Sequence, residues 1–115
     1  ETVNEQALQQ LNKNMTPDDF KRATASMLEN DISVRAFILL QTPWQNEEEG
    51  VYWAKASIDF AHAIGVECLT LIPLRKNERL AVDFVPSSTQ ALDEVVAYGL
   101  SKNNGRVFGD TWDAV

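Results

Sequence analysis

Apolar positions along this chain fall into two main runs and several stretches at helical spacing. The first run, Ala36 to Leu40, lies inside Val34-Arg-Ala-Phe-Ile-Leu-Leu-Gln-Thr-Pro-Trp44. A half-exposed strand alternates apolar with polar residues, whereas a continuous run suits a strand covered on both faces of a parallel sheet. Bounded by Ser33 and Pro43, it is too short for a buried helix. The second run is Val66 to Pro73, and a weaker third is Arg106-Val-Phe108. These predict strands near 34–41, 66–73 and 106–109.

Between them the apolar period changes to that of helices. Asn4 is placed to cap a short helix ending near 12–14, with Val3 and Leu8 at staple spacing. Thr16 caps a second helix, Pro17 takes its first position, and Asp18 and Asp19 complement the dipole. Its stripe is Phe20, Ala23, Thr24, Met27 and Leu28, and Asn30-Asp31 ends it. Asn46 caps a third helix over 46–64, closed by Gly65. Its aromatics Tyr52, Trp53 and Phe60 are expected in the core. Ser87 and Gln90 fit a capping box for a fourth helix over 88–102, with Leu92, Val95, Val96, Gly99 and Leu100 as its stripe.

Strand, helix, strand, helix, strand predicts one α/β unit over 1–115, with parallel strands joined by right-handed crossover helices in a three-layer or open arrangement. The 115 residues are one domain's worth, and 44% hydrophobic with 23% charged residues is an ordinary globular composition. No apolar run approaches the roughly 20 residues of a membrane span, and the first residues lack a signal-peptide layout. A cytoplasmic chain that meets no membrane is expected. The net charge of −7 disfavours a nucleic-acid surface made by this segment alone.

Chemistry-bearing residues are sparse. Cys68 is the one cysteine and His62 the one histidine, so neither a disulfide nor a protein-ligated zinc site is expected. Cys68 reads as a small buried hydrophobe. Glu47, Glu48 and Glu49 point in different directions around a helix and serve its dipole rather than a metal. Ligands of parallel sheets gather at the carboxyl ends of the strands. Here those ends present Gln41 and Thr42, then Arg75 and Lys76, then Asp110 and Asp113. The long basic connection from Leu74 to Pro86, with Arg75, Lys76 and Arg79, has two readings: cations facing anionic ligand groups, or solvated loop charges.

Four stretches together resemble one family: Glu1-Thr2 with Leu11-Asn-Lys-Asn-Met15, Val34 to Pro43, Gly65-Val-Glu-Cys-Leu-Thr-Leu-Ile-Pro-Leu-Arg75, and Gly105-Arg-Val-Phe-Gly-Asp-Thr-Trp-Asp113. Over the whole chain they resemble the distal half of the TIM-type β/α barrel of radical S-adenosylmethionine (SAM) enzymes. The likeness is to an iron–sulfur oxidoreductase group similar to the archaeosine-forming radical SAM enzyme. More distantly it extends to the radical SAM domains of the Elongator catalytic subunit and of oxygen-independent coproporphyrinogen oxidase.

The resemblance implies site residues. In the family, a Gln or Glu after the fourth strand contacts the ribose or amino-acid part of SAM, and a later basic residue reaches its carboxylate. Glu1 and Lys13 occupy those positions. Leu39 on the fifth strand and the Leu74-Arg75 turn past the sixth match the groups that flank the adenine. From the residues alone, Lys13 reads instead as a helix-end lysine and Glu1 as a mobile side chain. Catalytic residues stay unassigned.

The parent's implied cofactors are SAM and a [4Fe–4S] cluster, and neither is expected on this chain alone. The cluster's CxxxCxxC loop and the glycine-rich SAM segment are absent, and Phe37 stands where some relatives carry an acid. A whole barrel needs ~200 residues or more, so the chain reads as an inactive fragment whose partner is the N-terminal half of the parent barrel. Transfer RNA is left open as the parent's substrate. A homodimer is expected to hide a sheet edge or an inner face of Phe37, Leu39, Leu69 and Leu71. The competing reading is a stand-alone, non-catalytic α/β binding or interaction module.

Overall fold

The two apolar runs pair with each other. In the computed structural model of the chain, which describes residues 1–75, 85–102 and 106–110, β1 (Arg35–Leu39) lies parallel to β2 (Cys68–Ile72), and β2 parallel to β3 (Val107–Gly109). The sheet order is β1-β2-β3. Before β1 come α1 (Glu5–Gln10) and α2 (Pro17–Glu29); α3 (Glu47–Ala63) and α4 (Thr89–Lys102) are the two crossovers. The structure is thus a small α/β domain on a three-stranded parallel sheet. Lys76, Arg79, Asn103-Asn104-Gly105, Trp112 and Asp113 lie outside the described residues.

Local chemistry fixes the helix ends. Asn4 Oδ1 accepts from the Ala7 amide, and Thr16 with Asp19 and Asn46 with Glu49 form complete capping boxes. Three helices close in Schellman motifs. Asn12 (φ 57°), Asp31 (φ 60°) and Gly65 (φ 92°) take the left-handed position. The following amides, Lys13, Ile32 and Val66, donate back to Leu8, Met27 and Ala61. The fourth helix departs from expectation. Its cap is Ser88, whose hydroxyl accepts from Ala91, while Ser87 is drawn into the sheet rim by Leu74 and Gln41.

Among the described residues, the helices cover one face of the sheet. In register, Ala36 lies beside Leu69 and Val107, and Ile38 beside Leu71 and Gly109. This face packs on Ala54, Ile58 and Ala61 of α3 and on Ala91, Leu92 and Val95 of α4, with Phe20 and Leu28 of α2 at its margin. Leu40, Ile58, Leu69, Leu71 and Val95 are fully buried, each worth about 1.5–3 kcal/mol over exposure. The other face carries Arg35, Phe37 and Leu39, then Cys68, Thr70 and Ile72, then Phe108; Cys68 is buried there. Phe37 is 51% and Phe108 54% exposed.

This corrects two expectations. The continuous run of β1 is not covered on both faces: Val34, Ala36, Ile38 and Leu40 are buried, and the residues between them are not. Leu69 and Leu71 do not share a face with Phe37 and Leu39, because strand alternation turns them toward the helices. On α3, Tyr52 is also outside the core. It is 65% exposed and meets Trp53 edge to face at 5.2 Å.

Candidate functional site

Two bonds hold the first residues of the chain. The Leu39 amide donates to the Glu1 carbonyl at 2.7 Å, and the Val3 amide donates to Ser57 Oγ at 3.0 Å. Ser57 is itself fixed on α3 by donating to the Trp53 carbonyl at 2.7 Å. Amides of Leu40 and Glu67 bond across to β2 and β1, so the even positions of β1 face its partner strand. Leu39 therefore points its amide to the outer edge, and Glu1 lies along that edge at the carboxyl end of β1.

Lys13 arrives at the same place by a different route. The Schellman turn at Asn12 reverses the chain after α1, and Lys13 Nζ comes within 3.3 Å of Glu1 Oε1. Both side chains are close to half exposed.

The pair forms part of the lining of a cavity of about 410 Å³. Leu8, Phe20, Ala36, Ile38, Phe60 and Ala61 give it an apolar lining. Ala36 and Ile38 belong to the helix-covered face and Phe37 between them also lines the cavity, which is built from α1, α2, β1 and α3. Sequence reasoning missed it, because it is made by residues from α1, α2, β1 and α3 that no local pattern connects.

The third predicted residue, Leu39, touches this site through its backbone bond to Glu1; its side chain belongs to the bare face and is half-buried. Arg75 stands elsewhere. At the ends of β2 and β3, its Nη2 donates to the Asp110 carbonyl at 2.7 Å and lies 3.3 Å from Asp110 Oδ1. Glu1, Lys13 and the Leu39 backbone are thus brought together, and Arg75 is tied to Asp110 across the rim.

The rest of the rim is built from polar side chains turned inward. Gln41 and Thr42 are buried. Gln41 Nε2 donates to the carbonyls of Gln45 and Val85, each at 3.0 Å, and its Oε1 accepts from Ser87 Oγ at 3.2 Å. Ser87 Oγ also accepts from the Leu74 amide at 2.9 Å, and the Ser87 amide donates to the Leu74 carbonyl. Gln41 therefore joins the ends of β1 and β2 instead of facing a ligand. Thr42 Oγ1 has no hydrogen-bond partner among the described residues.

Among the described residues, no group of three or more His, Cys, Asp or Glu could hold a metal, and no helix is long and apolar enough to cross a membrane. Cys68 is buried in β2. An opposed carboxylate and ammonium in a cavity lining can recognise a ligand that carries both charges. No family model matches the chain, and no curated protein and no solved structure matches it.

Proposed function

We propose that this unit is the distal part of a radical SAM-type β/α barrel, in which Glu1, Lys13, Leu39 and Arg75 form one wall of the SAM site. One observation carries the reading: Glu1 and Lys13, separated by a helix, meet at 3.3 Å beside the carboxyl end of β1. Their charges complement the zwitterionic methionyl end of SAM, Lys13 toward its carboxylate and Glu1 toward its ammonium. Leu39 and Arg75 lie farther along the same rim, where the adenosyl part would run. The bare sheet face then corresponds to the barrel interior, since parallel sheets are normally covered on both sides.

The residues present fit SAM but not the iron–sulfur cluster. Cluster ligation calls for several thiolates, and the chain's one cysteine is buried in the middle strand. In the parent enzyme the cluster would be held by the remainder of the barrel, and this unit alone is inactive. SAM, when bound, supplies the adenosyl group of the family's chemistry; the chain's own residues orient it and shield one side from water.

Calorimetric titration of the chain with SAM tests the reading. Binding that weakens about tenfold in Lys13→Met, a loss of about 1.4 kcal/mol, is the expected outcome. Absence of binding, or equal affinity in the variant, contradicts it. A stand-alone binding module is the second reading, favoured by a cavity of about 410 Å³, within the size range of small-molecule sites.

A further inference from the structure

We propose that the cavity behind Glu1 and Lys13 accepts the side chain of a free α-amino acid with a large neutral apolar group, such as phenylalanine. The inference shares with the SAM reading the assignment of Glu1 and Lys13 to a zwitterionic head, and differs in where the tail goes.

Three features converge on this ligand class. The first is charge complementarity: an ammonium and a carboxylate 3.3 Å apart match the carboxylate and ammonium on one Cα. The pair is nearly half exposed, so its internal attraction is weak and each partner can turn to the ligand at little cost. The second is the cavity itself. At about 410 Å³ it falls within the range of small-molecule sites, and Phe20, Ile38 and Phe60 offer a rigid apolar lining rather than further charges. The third is position. The Val3–Ser57 and Leu39–Glu1 bonds tie the Glu1–Val3 part of the lining to α3 and β1, so that part is in place before a ligand arrives.

The same features exclude the tail of SAM from this cavity. A sulfonium carries its charge next to the carbon chain, and an unpaired charge is disfavoured against an apolar lining. SAM would extend outward along the rim, while a neutral side chain gains by turning inward. The two ligands compete for one pair of charges and diverge behind it.

The probe is L-phenylalanine, titrated into the ¹⁵N-labelled chain and followed by amide shifts. Saturable shifts at residues 2–3, 13, 36–38 and 57–61, with Kd on the order of 1 mM, are expected. Phenethylamine and 3-phenylpropionate, which each lack one charge, should bind at least about tenfold more weakly. Ala36→Leu, which fills the cavity, should abolish phenylalanine binding and leave SAM binding unchanged; should that variant not fold, the wild-type shift map decides. No saturable shifts with phenylalanine, shifts confined to other residues, or equal binding of the one-charge analogues would overturn the proposal. Phenylalanine binding without SAM binding supports the cavity and ends the radical SAM reading; SAM binding without phenylalanine does the reverse.

Discussion

Gly50 lies so close to the end of β1 that a Cβ there would stand 2.6 Å from the Leu40 carbonyl oxygen and 2.9 Å from Gln41 Cβ. The first turn of α3 is pressed onto the strand, and this contact sets where Gln41 enters the rim. Neither neighbour can retreat, one being backbone and the other a buried side chain with three hydrogen bonds. Gly50→Ala should therefore destabilise the domain by about 1–3 kcal/mol, the cost of overpacking, read by urea denaturation. An unchanged midpoint would show that the helix is not held there.

Two buried hydroxyls, Thr24 Oγ1 and Thr42 Oγ1, lack hydrogen-bond partners among the described residues. A buried polar group without a partner is destabilising, and valine has nearly the same shape. Thr24→Val and Thr42→Val should each raise stability by about 1 kcal/mol. A loss of stability of that size in either variant would mean that its hydroxyl is bonded in solution.

Acid should weaken the domain at two identified places. The Thr16 amide, followed by its hydroxyl and by Arg22, holds the Asp19 carboxyl below the usual range, and Ser88 does the same for Glu47 through its hydroxyl and amide. A depressed pKa in the folded state means stability present above the unfolded value and lost as pH falls through the folded one. Tyr98 is the opposite case. Its hydroxyl donates to Asp59, which raises its pKa. Its contribution is present below the ordinary tyrosine pKa and is lost as pH rises through the folded value. Urea midpoints against pH should fall at both ends; Asp19→Asn with Glu47→Gln should flatten the acid limb, and Tyr98→Phe the alkaline one. Limbs of unchanged steepness would contradict these assignments.

The bare face predicts association. Phe37 and Phe108 flank Thr70 in register and are each more than half exposed, and the outer edge of β1 is bonded only at Leu39 among the described residues. A bare apolar face beside an open edge is a pairing surface. Light scattering at micromolar concentration should give a dimer, and Phe37→Glu should shift it to the monomer. A monomeric wild-type chain would contradict the prediction.

Much of the fold was legible because the signals were local. Caps at Asn4, Thr16 and Asn46, the Gly65 terminus and the apolar runs each fixed an element within a few residues. What failed was information about neighbours. A continuous run such as Ala36 to Leu40 does not say whether the second face is covered, and nothing about Ser87 says that Gln41 will draw it from a helix cap into the rim. The site divided in the same way. Glu1 and Lys13 were expected from family resemblance alone, and their meeting depends on the left-handed turn at Asn12, which the sequence marks only as an asparagine near a helix end. The cavity behind them had no sequence signal.

The central claim is that Glu1, Lys13 and Leu39 share one SAM-binding wall at the end of β1. Mapping amide shifts of the labelled chain during SAM titration tests it most directly. Saturable shifts at residues 2–3, 13, 39–40 and 74–75, lost together in Lys13→Met, are expected. Shifts that leave residues 2, 13 and 39 unmoved, or no saturable shifts at millimolar SAM, would contradict it.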